Sequence, residues 1–192
     1  MSPSLDELVK QGQGDRAAVD LGEGIFMSRN IANSYLVTTS DGDLLINTGT
    51  HFEAPEIKAR FSGVSAAPLR CITFTQGHPD HVGGWSLFNA DGVRTIAQAN
   101  HSDVREYWSH LHPFYVRRIM RLWGAVMDVE ATAADMPPEP VLTEQFIDEY
   151  ALELGGRRFE FYGTPGGETT DAQVVWLPET RTVFIGNLLG PF

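Results

Sequence analysis

The chain has one cysteine, no long apolar run and a shortage of positive charge, with 14 Lys and Arg against 25 Asp and Glu. Each shortage excludes something. A lone thiol, Cys71, closes no internal disulfide, and its apolar surroundings (Cys71-Ile72-Thr73-Phe74) suit a small hydrophobe in a reducing compartment. No apolar segment reaches the roughly 18 residues that a membrane-spanning helix needs. The formal charge of -11 speaks against nucleic acid or an anionic membrane as the main partner. The opening MSPSLDELVKQGQGDRAA has no basic segment followed by an apolar core, so it does not read as a signal peptide. These absences lead to the expectation of a cytoplasmic protein. Histidine is also unevenly placed, since none follows His112.

What remains reads as one domain over residues 1–192, long enough for a substantial core, with 42% hydrophobic and 20% charged residues. A short amphipathic helix is expected over 4–18 through Leu5, Leu8 and Val9. Strands are expected at 33–39 and 43–47, hinged on Asp41-Gly42. A helix follows over 53–62, then strands at 71–75 and 93–97. A long helix, capped by Asn100 or Ser102, should run to about Gly124 with an interruption at Pro113. Residues 131–140 read as a proline-stiffened loop. Strands near 141–142 and 146–147 and two hairpins, over 150–161 and 173–185, complete an α/β or α+β sandwich.

The densest chemistry lies between Phe74 and Trp85. Gln76, His78, Asp80 and His81 fall within six residues, with Gly77 and Pro79 between them and Gly83-Gly84 after. Alternate residues cannot share a helix face, but they can converge from a loop at a strand end. Imidazoles and a carboxylate converging in one turn are what a divalent metal requires.

With these residues in place, the chain resembles the metallo-β-lactamase superfamily. The resemblance rests on Asn33-Ser34-Tyr35-Leu36-Val37, Leu45-Ile46-Asn47-Thr48-Gly49 and Thr75-Gln76-Gly77-His78-Pro79-Asp80-His81. Gly163-Thr164-Pro165-Gly166 and Val183-Phe184-Ile185-Gly186-Asn187 extend it. It implies an αβ/βα sandwich whose C-terminal half is incomplete here, and a chain completed by a complementary polypeptide or a second copy. Pro165-Gly166-Gly167-Glu168, with Arg117-Arg118 ahead of Leu122-Trp123-Gly124, is similar to the alkylsulfatase branch.

The resemblance implies a metal-dependent hydrolase of a small-molecule ester, sulfate ester first, with zinc, one or two ions, or else iron or manganese. His78, Asp80, His81, Glu168 and Gln76 would be the metal ligands, and Asp80 would also serve catalysis by orienting the nucleophile. Arg117 and Arg121, at i and i+4, share a helix face and could hold an anionic group; a solvated face is the other reading. Glu168 is equally readable as a solvated acid. Asn47 could orient a ligand, together with His51, or cap a turn. The pattern departs from the family's usual one at Gln76, where a histidine is usual, and at Asn47 and Asn187, where acids are usual. A non-catalytic member with a degenerate metal or ligand site is therefore the alternative.

Overall fold

A computed structural model describes residues 10, 12–127 and 137–189. The first strands are short: β1 (Val19–Asp20), β2 (Ile25–Ser28), β3 (Ser34–Thr39) and β4 (Gly42–Ile46) form an antiparallel meander. Helix α1 (Ala54–Ser62) then carries the chain to β5 (Leu69–Thr73). Two single turns, α2 (Pro79–Val82) and α3 (Trp85–Phe88), lead to β6 (Arg94–Gln98). The long helix α4 (His101–Met127) returns it to β7 (Glu144–Phe146). Strands β4 to β7 pair in parallel, so the seven-stranded sheet runs in sequence order from β1 to β7. The second sheet is an antiparallel set of β8 (Glu149–Leu154), β9 (Arg157–Gly163), β10 (Gln173–Leu177) and β11 (Thr182–Phe184).

Side chains alternate across each strand, and in the first sheet both faces are buried. On one face Val37, Leu44, Ile46, Cys71 and Ile96 meet Leu152, Phe159, Phe161, Val175 and Leu177 of the second sheet. On the other, Leu36, Leu45, Ile72 and Ala97 pack against Ile57, Phe61, Val82 and Trp85 of the helical layer. Leu44 and Leu45 are neighbours in sequence and belong to different cores. All four described helices precede β7, and the outer face of the second sheet carries exposed Tyr162 and Val183.

The expected sandwich is therefore the observed one, with differences of detail. Residues 10 and 12–18 form turns and irregular chain rather than helix, and residues 4–9 lie outside the described residues. Arg29 holds this segment by a two-pronged contact to Asp15, both at 2.9 Å. Val141 and Leu142 precede β7 instead of forming a strand. Pro113 does not interrupt α4. Both Pro113 and Ser109 are exposed, so water can satisfy the carbonyl whose helical donor the proline removes. Of the loop expected at 131–140, residues 137–140 are irregular chain and 131–136 lie outside the described residues. No helix among the described residues is long and apolar enough to cross a membrane.

Candidate functional site

The functional loop begins where β5 ends. Ligand sites of open sheets with parallel strands lie outside the carboxyl ends of those strands. Here the segments leaving β4, β5 and β6 meet the loop between β9 and β10 and the turn after β11. Backbone contact fixes the approach. Thr48 receives its place from His81, whose carbonyl accepts both the Thr48 N–H at 2.7 Å and its hydroxyl at 3.1 Å. Gly84 donates to the Gly49 carbonyl at 3.0 Å, and a Cβ on Gly84 would stand 2.3 Å from the Thr48 oxygen. The glycine pair after Asp80-His81 is thus required by two loops crossing backbone to backbone.

A chain of hydrogen bonds runs through the site. Asn47 adopts a left-handed backbone (φ 60), which asparagine tolerates better than most residues. Its Oδ1 accepts the Thr75 N–H at 2.9 Å and the Thr75 hydroxyl at 3.2 Å. With its proton committed there, Thr75 Oγ1 accepts from Nδ1–H of His81 at 2.9 Å. Nε2 of His81 is then unprotonated and accepts from the Gln76 amide nitrogen at 2.8 Å. The second amide hydrogen of Gln76 goes to Glu168 Oε2, also 2.8 Å, and Asn187 donates to the same oxygen at 2.7 Å. Asn47 thus turns the chain and also holds Thr75, whose hydroxyl faces the His81 imidazole.

Two further bases stand at the rim. Asp80 Oδ2 lies 3.6 Å from His81 Nε2, and His78 Nδ1 lies 3.7 Å from Glu168 Oε2. His78 and Asp80 are partly exposed, while His81 and Gln76 are buried. Burial pushes the His81 imidazole below its usual pKa, with the Asp80 carboxylate opposing that shift. Among the described residues, no arginine pairs with Asp80 or Glu168.

The structure brings together His78, Asp80, His81, Gln76 and Glu168. It does not bring Arg117 and Arg121 to them. Both are exposed, and Arg117 Nε donates to the carbonyl of Pro113 in its own helix at 3.2 Å. Within α4, Trp108 stands edge-on to His78 at 5.3 Å and stacks on Tyr115. His51 is exposed against Phe52 and orients none of the described site residues.

Three residues were not found by sequence reasoning. Asp171 is buried and pairs with buried His101, Nδ1 to Oδ2, at 2.9 Å, while Thr169 donates to its other oxygen. Burial alone would raise the Asp171 carboxyl. The bonds from His101, Thr169 and the Gly77 amide outweigh it and hold the pKa below the ordinary value. Arg105, one turn after His101, donates to the Gly77 carbonyl at 2.8 Å and grips Glu139 with two bonds at 2.6 and 2.8 Å. The only available signal was the i, i+4 spacing of His101 and Arg105 at the start of a helix beside the functional loop.

The described residues thus form two packed sheets with helices on the first, and histidine and carboxylate side chains gather where loops from the two sheets meet. The model for the metallo-beta-lactamase superfamily matches residues 27–192, and the chain belongs to that superfamily. It is 24% identical over 167 residues to the linear primary-alkylsulfatase of Pseudomonas sp. (strain ATCC 19151), covering 77% of this chain and 31% of the relative. Among solved structures it is similar to the stereoselective inverting sec-alkylsulfatase Pisa1 from Pseudomonas sp. The TM-score is 0.71 at 17% identity, over 85% of this chain and 30% of that one. It is similar also to BJP-1, a subclass B3 metallo-beta-lactamase of Bradyrhizobium japonicum. There the TM-score is 0.64 at 17% identity, over 84% of this chain and 58% of that one. The chain thus spans about a third of the alkylsulfatases and under two thirds of the lactamase.

The superfamily implies a metal, and the donors here are of a suitable kind, imidazole nitrogen and carboxylate oxygen. Their arrangement is another matter. They stand as two pairs, His81 with Asp80 and His78 with Glu168, and the Gln76 amide lies against one member of each. Among the described residues, no three His, Cys, Asp or Glu side chains gather closely enough to hold a metal ion. As arranged, these residues do not by themselves fit a metal centre.

Proposed function

We propose that the chain bears the active face of an ester hydrolase, with sulfate esters as the first substrate class. The observation that carries this reading is the pair of carboxylates, Asp80 and Glu168, standing 3.6 Å from His81 and 3.7 Å from His78 at the strand ends. Superfamily membership and the similarity to two alkylsulfatases support it. Zinc, with iron or manganese as alternatives, is the cofactor this reading calls for. His78, Asp80, His81, Glu168 and the weaker donor Gln76 are its candidate ligands, with further donors supplied by a complementary chain or a second copy. Asp80, at the rim and partly exposed, is the candidate for orienting a nucleophile.

A second reading, a fold member that binds a ligand without turning it over, is favoured by Gln76, whose amide touches both His81 and Glu168. The two readings separate in one assay. Protein stripped with chelator and reloaded with zinc, iron or manganese would be offered 4-nitrophenyl sulfate, acetate and phosphate. Hydrolysis of the sulfate that is lost in the Asp80→Ala variant supports the first reading. No turnover above buffer with any metal, in the presence of its partner chain if one copurifies, favours the second.

A further inference from the structure

Gln76 is 1% exposed, so its amide is shut off from bulk solvent. Both amide hydrogens are used, one on His81 Nε2 and one on Glu168 Oε2, each at 2.8 Å. The orientation of that amide is not arbitrary. With the carbonyl oxygen in the nitrogen's place, an acceptor would face the Glu168 carboxylate and also the lone pair that Thr75 leaves on His81. Two Lewis bases therefore look at each other across this point, and an electropositive group is needed between them. The amide nitrogen, with its two hydrogens, is that group.

We propose that Gln76 does the electrostatic work of a cation in this site, bridging His81 to Glu168 so that the loop after β5 and the loop after β9 stay together without metal. The residue types explain why the substitution works only in one direction. A neutral histidine at 76 offers one N–H and would present a lone pair to the same region. A glutamine offers two donors from one atom and no charge to desolvate. Asn187 completes the arrangement. It donates to the same Glu168 oxygen at 2.7 Å, where an acid would have repelled it. Two of the chain's departures from the superfamily pattern, Gln76 and Asn187, thus act on one carboxylate. Each supplies N–H where a donor of electrons to metal would otherwise stand. The inference concerns how the loops are held together in the absence of metal and stands apart from the hydrolase reading, in which a bound cation would compete with the Gln76 amide for His81 and Glu168.

The test reads stability rather than turnover. Thermal unfolding of the full chain would be followed in excess EDTA and in excess zinc. The wild type should melt within about 2 °C of itself in the two conditions. Gln76→Glu sets a second carboxylate against Glu168 and should melt about 5 °C or more below wild type in EDTA, recovering when zinc is added. Gln76→Ala, which removes the bridge without adding charge, should be lowered in EDTA by a similar amount. A wild-type midpoint that drops by about 5 °C or more on chelation would overturn the proposal. So would a Gln76→Glu variant as stable as wild type in EDTA. The wild-type comparison can overturn the proposal even if one variant fails to fold, and Gln76→Ala then carries the test of the bridge.

Discussion

Asp171 and His101, seventy residues apart in the chain, form a buried pair at 2.9 Å that ties the loop bearing Glu168 to the first turn of α4. The same carboxylate receives the Gly77 amide, so three segments of the site share one anchor.

That anchor predicts an acid-sensitive fold. The carboxyl's folded pKa lies below its unfolded value, near 3.8, so its contribution to stability is present above that pH and lost as pH falls through the folded value. Asp171→Asn should lower stability at pH 7 by about 3 kcal/mol, the scale for breaking a buried pair. It should also flatten the loss of stability below pH 3.8. Urea unfolding at pH 7 and at a series of acid pH values checks both. An unchanged acid limb would mean that another carboxylate governs acid unfolding.

The crossing of the two loops predicts a sharp contrast between glycines. Gly84→Ala must push a Cβ into the Thr48 carbonyl and the Ala54 side chain, at 2.3 and 2.6 Å. A loss of about 1–3 kcal/mol follows from such overpacking against backbone. Gly63→Ala, at the end of α1, meets nothing nearer than 3.4 Å and has a right-handed backbone (φ -75), so it should be neutral within about 0.5 kcal/mol. Denaturation midpoints of the two variants, measured side by side, give the comparison.

The fold was largely legible in the sequence because its strands are short, apolar and separated by turn residues, as at Asp41-Gly42. Which sheet face a residue serves was not. Leu44, Leu45 and Ile46 are all fully buried, so alternation leaves no trace in their polarity. The loop from Gln76 to His81 was legible because its residues are close in sequence. Glu168 was found only through family likeness, and Asp171 not at all. Its partners His101 and Gly77 lie in other segments, and pairings made by folding carry no local spacing. Arg117 and Arg121 show the converse. They lie four residues apart on one helix and are exposed, and no contact among the described residues joins either to the loop from Gln76 to His81.

Cys71 lies in the core between the two sheets, alongside Phe159, Phe161 and Val175. Burial first, with Glu144 adding to it and Arg94 opposing, pushes its thiol up to about 12, so at neutral pH it is neither ionised nor reachable. The chain's single cysteine is therefore an internal clock for one event, the parting of the two sheets. A thiol reagent at pH 8 should leave the native protein unmodified on mixing and then label it at the rate at which this interface opens. Since strands of both sheets seal the same core, that rate should fall with every stabilising condition and match global unfolding. Labelling much faster than unfolding would instead reveal that the second sheet detaches by itself, leaving the first folded.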